Sequence, residues 1–300
     1  MPASSVLGMS SPRVAVITDS TAYLPPGWAS EWDIDVVPVQ VIVAGQAFDE
    51  TDDDQAQAVA MALQEWKPVT TSRPSPARFL ESYARAAEQG AEAIVVATLS
   101  SSMSGTYESA VLAAKEMSIP VDVIDTRSIA MGEGFAVVAG ARAAAAGASP
   151  EDVASIIRTR AAGARVYFYV DTLEYLRRGG RVSSARAAVG QALQVKPLLQ
   201  VLDGRVERLE QVRTTGRALA RLADLAVEAA EGHGDVDLAV QHLGASERAR
   251  FLAEDLRSRI PQGNVVEGTV GGVVGAHVGP GMVAVVVSPV SGAVMLRDED

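Results

Sequence analysis

The chain has 300 residues, 48% of them apolar, and a formal net charge of -11 at neutral pH, which implies a globular protein with a core large enough for two domains. The acidic balance excludes a general affinity for nucleic acid or for anionic membrane surfaces, both of which demand a positive footprint. Cysteine is absent, so disulfides, thiolate catalysis and cysteine metal sites are excluded as well.

Residues 1–12 lack a basic stretch followed by an apolar one and are expected to be a disordered tail rather than a signal peptide. No apolar run reaches the ~18 residues that a membrane helix needs, so a soluble cytoplasmic protein is expected. From Arg13 onward strand and helix alternate. Arg13 to Thr18 reads as a strand ending at Asp19-Ser20-Thr21, and Val36 to Val43 as another. Asp52 to Trp66 and Ser75 to Gln89 read as helices, with Ser75 as N-cap and Pro76 in the first turn. Ala93 to Thr98 is a buried strand that empties into a serine-rich loop. Gly105 to Met117, the strand Val121 to Asp125 and the helix Gly132 to Ala146 continue the alternation. Such a pattern predicts a parallel sheet with helices on both faces and a ligand beyond the carboxyl ends of its strands.

Ser149-Pro150 opens a further helix, and a domain boundary is expected at 155/156. Beyond it the pattern changes. Arg165 to Val170 is a strand, and Asp203-Gly204 joins Leu198–Val201 to Val206–Glu210 as a hairpin. Helices at Arg217–Glu231 and Ser246–Ile260 alternate with strands at Val236–Gln241, Val265–Thr269 and Val283–Val287. The fold class read from this order is α/β in two domains. Residues 13–155 form an N-terminal parallel α/β/α sheet domain, and residues 156–300 a C-terminal mixed-sheet α/β domain.

Three segments concentrate small hydrogen-bond donors: Thr70 to Ser75, Ser100 to Thr106, and Gly275 to Gly281 with His277 among its glycines. Hydroxyls and backbone N–H groups at a helix start favour an anion, and Gly105 and Gly279 allow close backbone approach. Ordinary helix capping explains the serines equally well, and a lone histidine can be a satisfied core group. A nucleophilic serine needs an adjacent base and an elbow, yet no G-x-S-x-G occurs. His233 lies in a loop and His242 ends a strand; three scattered histidines without cysteine make no metal site. No phosphate loop is present either. The three segments together suggest a binding protein for a carboxylate. From Arg177 to Arg221 basic residues outnumber acids, a solvated face or a docking patch for an acidic or phosphorylated partner.

Read in order, Val16-Ile17-Thr18-Asp19-Ser20-Thr21, Thr71-Ser72-Arg73-Pro74-Ser75, Ser100 to Tyr107, Leu176 to Arg181, Lys196-Pro197, Val212-Arg213-Thr214 and Ala276 to Gly281 resemble the DegV family. Ser102 departs from it, standing where a glycine is expected. That resemblance implies two α/β domains with one long-chain fatty acid between them and no further cofactor. It also implies an ATP-dependent kinase partner that phosphorylates the acid's carboxylate, the chain itself being no enzyme. By the same resemblance Thr71, Ser72, Ser101, Ser104 and His277 hold the carboxylate, with Gly105, Thr106 and Gly279 in the loops beside it. Arg178, Arg181 and Arg213 face the kinase. A cradle free of arginine is expected, because a bidentate guanidinium would occupy both carboxylate oxygens. The rival readings are a serine hydrolase of acyl esters, using Ser101 or Ser104 with His277, and a non-catalytic interaction protein.

Overall fold

The computed structural model describes residues 13–50, 53–65, 67–182 and 195–290. The expected tail at 1–12 lies outside them, as do Asp52 and Trp66 at the ends of one expected helix and Arg186 of the basic stretch. The chain opens with β1 (Val14–Asp19), a 3-10 turn (Ser20–Ala22), α1 (Trp28–Glu31), β2 (Ile34–Val37), β3 (Gln40–Val43) and β4 (Gln46–Asp49). It continues through α2 (Asp53–Gln64), β5 (Val69–Ser72), α3 (Pro76–Glu88), β6 (Ala93–Thr98), α4 (Thr106–Ala114) and β7 (Val121–Asp125). α5 (Met131–Ala145) and α6 (Pro150–Gly163) follow. Strands in the order β2-β1-β6-β7 form a parallel sheet. Alternation along its strands feeds two cores. Val16, Val95 and Ile124 pack with α5 and α6, while Ile17, Ile94 and Val96 pack with Phe79 and Tyr83 of α3 and Ala110 of α4.

The rest of the chain runs β8 (Arg165–Tyr169), α7 (Glu174–Arg178), β9 (Lys196–Leu202), β10 (Arg205–Val212), α8 (Thr215–Ala230) and β11 (Val236–His242). α9 (Ser246–Arg259), β12 (Gly263–Thr269), α10 (Gly272–Val278) and β13 (Val283–Pro289) complete it. The mixed sheet has the order β10-β9-β8-β13-β11-β12. Tyr169, Leu198, Leu238 and Val285 face α8 and α9, which contribute Leu222 and Leu252. Val166, Phe168, Ala239 and Val286 point the other way, toward the first half of the chain. Truncating a fully buried leucine such as Leu222 costs about 2–5 kcal/mol. The α/β class with one parallel and one mixed sheet is as the sequence predicts. Among the described residues no helix is long and apolar enough to cross a membrane.

Three features differ from the sequence expectations. The strand expected over Val36–Val43 is two strands, because Pro38 cannot donate to a ladder and the chain changes sheets there. β3 joins β4 and β5 in a small antiparallel sheet, order β4-β3-β5, that packs with α2 and α10. The boundary expected at 155/156 falls inside α6, whose Val153, Ala154 and Ile157 belong to the core of the parallel sheet.

Candidate functional site

A cavity of about 240 Å³, open at one side, lies between the two large sheets. Its floor is the inner face of the mixed sheet, from Val206 and Val201 through Phe168 to Ala284, and its far wall comes from Leu99, Ile129 and α10. Around it stand the polar groups Thr71, Ser72, Arg73, Ser104, Arg181 and His277.

Successive contacts tie these groups into a ring. Thr71 Oγ1 lies 3.0 Å from His277 Nε2, joining β5 to α10 across 206 positions of sequence. The other face of the His277 ring meets Gly179, where a Cβ would stand 2.1 Å from Nδ1. Arg181 donates Nε to the Met103 carbonyl at 3.0 Å, and Nη1 to the Gly179 carbonyl. Ser104 Oγ lies 2.9 Å from Thr106 Oγ1. Arg73 lies over Gly105, with Nη1 3.5 Å from the Gly105 carbonyl, in the space that a Cβ would fill.

Burial, with Arg181 nearby as the lesser cause, pulls the His277 imidazole down to about 4, so the ring is neutral at physiological pH. Nδ1 is buried and has no hydrogen-bond partner among the described residues. An unpaired buried N–H is the costlier orphan, so the proton belongs on Nε2. Imidazole then donates to Thr71 Oγ1, which leaves the threonine hydroxyl proton free to point into the cavity.

The structure sorts the sequence candidates. It brings together Thr71, Ser72, Ser104, Gly105 and His277, with Thr106 buried behind Ser104. Ser101 is not in the cavity wall: its hydroxyl and N–H both go to the Asp125 carboxylate at the end of β7. Gly279 is not there either. It ends α10 with φ 75°, pressed against the Tyr175 ring. Asp19, expected at the ligand edge, is wholly buried and accepts from Thr21 N, Thr21 Oγ1 and Leu99 N, which ties the ends of β1 and β6 together. Burial pushes its carboxyl up. Arg181 stands half-buried in the cavity wall, and Arg73 lines the same cavity. Arg178 and Arg213 are exposed, Arg178 in an ion pair with Glu174. The sequence reading missed Gly179 as the packing partner of His277; two adjacent glycines after Arg178 were its only trace. Among the described residues no group of three or more His, Asp or Glu is placed to hold a metal.

Residues 13–290 match the profile of the family described as uncharacterised proteins of the DegV family. The chain belongs to the DegV family. A DegV domain-containing protein of Streptomyces coelicolor is 49% identical over 277 residues, covering 92% of this chain and 98% of its own. Among solved structures, a DegV family protein from Thermus thermophilus, described by its fatty acid binding, superposes with a TM-score of 0.87 at 29% identity, over 92% of this chain and 99% of that one. DegV from Bacillus subtilis, described as a fatty acid binding protein, gives a TM-score of 0.84 at 30% identity, over 93% and 100%.

Proposed function

We propose that this chain binds one long-chain fatty acid, its tail in the apolar cavity and its carboxylate at Thr71, Ser72 and Ser104, and presents that carboxylate to an ATP-dependent kinase. The observation that carries the reading is the Thr71–His277 pair at the edge of an apolar cavity, in a chain similar to fatty-acid-binding DegV proteins. Each buried CH₂ contributes about 0.8 kcal/mol, so the tail supplies most of the affinity and the head group needs orientation more than attraction. A carboxylate buried without donors is prohibitive. Here His277 donates a hydrogen bond to Thr71, and the Thr71 hydroxyl donates one to the carboxylate, with Ser104 and Ser72 as further donors. Arg181 supplies the compensating charge from the wall. The exposed Arg178 and Arg213 are the groups we assign to the kinase face, where an acidic or phosphate-bearing surface would meet them.

The hydrolase reading lacks its essential pair. Ser101 is committed to Asp125, and Ser104 lies against the Thr106 hydroxyl rather than a base, while His277 Nε2 faces Thr71. Mass spectrometry of the purified protein, native and then denatured, tests the lipid reading. A native excess equal to one fatty acid, lost on denaturation, is expected. A bare mass that persists after incubation with oleate and palmitate would sink it.

A further inference from the structure

α10 carries His277 but has little reason to be a helix. It is seven residues long, includes Gly272 and Gly275, and begins at Gly271, which offers no capping side chain. A segment so short and rich in glycine does not hold a helical turn unaided. Its cap comes from 223 positions away. Glu50, just past the end of β4 and only 6% exposed, accepts Val273 N–H on Oε1 at 2.8 Å. Tyr23 Oη donates to the same Oε1 at 3.0 Å and accepts Val274 N–H at 3.1 Å. Ser20 Oγ donates to Oε2 at 2.7 Å and accepts Val39 N–H at 3.0 Å. Gly271 must lack a side chain here, since a Cβ would stand 2.2 Å from Glu50 Oε1. The small sheet thus grips α10 at both ends. Glu50 holds the first turn, and Thr71 of β5 meets His277 one turn later, about 6 Å along the axis.

We propose that Glu50, backed by Tyr23, is the positioning residue of the head-group site: it fixes the first turn of α10 and so sets His277 against Thr71. This rests on the lipid reading above. Glu50 also faces a second hollow behind that turn, which none of the described basic residues lines. Among the described residues, the charged and titratable groups around Glu50 are Tyr23, bonded to it, and Asp19, with Glu267 of β12 across the hollow in an ion pair with Arg257; α10 offers it backbone N–H groups. Burial raises the Glu50 carboxyl to about 6, against the three hydrogen bonds that lower it. Above that pH the carboxylate makes charge-assisted bonds to the helix; below it the bonds weaken.

The test compares palmitic acid with hexadecanol, which share a tail and differ in the head. Affinities for both are measured in the wild type, Glu50→Gln and Tyr23→Phe between about pH 5 and pH 8. We expect the acid-to-alcohol preference of the wild type to fall several-fold as pH drops through about 6. In Glu50→Gln it should be lower by about tenfold near pH 8, and the part of the step near 6 that Glu50 contributes should be missing. Tyr23→Phe should lower it less and keep the pH step. The ligand acid and His277 titrate in all three proteins, so the difference isolates Glu50. Equal losses of acid and alcohol binding in the variants, or a Glu50→Gln profile that matches the wild type, would overturn the proposal. A wild type that binds neither ligand overturns the lipid reading, and this inference with it.

Discussion

Gly179 and Gly180 are neighbours in sequence with opposite reasons for being glycine. Gly179 has an ordinary helical backbone, φ -72° and ψ -9°, but a Cβ there would sit 2.1 Å from His277 Nδ1. Gly180 has φ 71°, and among the described residues nothing lies within 4 Å of the place a Cβ would take. Gly179→Ala should therefore displace the imidazole and weaken fatty acid binding by about tenfold, with a small change in stability. Gly180→Ala should cost about 1 kcal/mol of stability through backbone strain and leave affinity unchanged. Ligand titration beside urea unfolding separates the two; the same response from both variants would contradict the assignment. Thr71→Val tests the proton chain directly. It keeps the shape and removes the hydroxyl, so affinity for the acid should fall by about 1.5–3 kcal/mol, and Thr71→Ser should restore most of it. His277 also marks the pH dependence of stability. Its imidazole lies near 4 in the fold against an ordinary 6.5. Between those values the unfolded chain binds the extra proton, so stability rises with pH across that window and is lost as pH falls through it, by at most about 3 kcal/mol. Glu50, raised from 4.5 to about 6, acts in the opposite sense over its own window. The His277 contribution must therefore be read as the wild type minus His277→Gln, measured by urea unfolding at a series of pH values. A difference that does not shrink toward acid would refute the buried neutral imidazole.

At the scale of elements, what the sequence shows and what it hides follow from where the stabilising contacts come from. β1 and β6 are legible because a strand buried on both faces must be a continuous apolar run. α6 is legible from its cap, where Ser149 Oγ accepts Asp152 N–H at 3.1 Å. The Asp203-Gly204 turn is legible because both residues take positive φ, 50° and 77°, as a two-residue hairpin requires. β4, β5 and α10 are not legible: they are too short for any period to repeat, and distant side chains such as Glu50 hold them. The serine loop is half legible. Its residue types announce a donor cluster, but not that Ser101 turns to Asp125 while Ser104 turns to the cavity. Ser100 does neither. It is fully buried, and its hydroxyl donates to the Gly204 carbonyl at 2.6 Å, fastening the hairpin to the parallel sheet. A Cβ on Gly204 would stand 2.5 Å from that same oxygen. Ser100→Ala should cost about 1–3 kcal/mol by stranding a carbonyl. Gly204→Ala should be more severe, adding strain at positive φ to the clash. Because removing the hydroxyl relieves the clash, the double variant should be less destabilised than the sum of the two. Strict additivity in a double-mutant cycle would show that the two residues do not meet.

At the scale of the molecule, polar contacts and shared apolar clusters both join the two halves. Arg160 of α6 reaches Asp237 and the Pro289 carbonyl, Met131 N–H donates to Gln241 at 3.1 Å, Ser100 meets Gly204, and Thr71 meets His277. The cavity lies across that same junction, so an acyl chain would add apolar contact to both sides. Ligand that binds only the folded state stabilises it by about 2.7 kcal/mol at a hundredfold excess over Kd, about 5 °C in Tm for a chain of this size. Delipidated protein should therefore melt lower and regain that increment with palmitate, while Thr71→Val should regain less. Arg213 belongs to neither the junction nor the cavity wall. It is exposed at the entry to α8, so Arg213→Ala should keep the full palmitate increment. On the proposed function, its defect should emerge only when an ATP-dependent fatty acid kinase is added, as slower formation of acyl-phosphate from the same bound lipid. The two measurements can disagree in only one informative way. If Arg213→Ala loses the thermal increment, the arginine acts on the lipid rather than on the kinase, and the docking face must be sought around Arg178 instead.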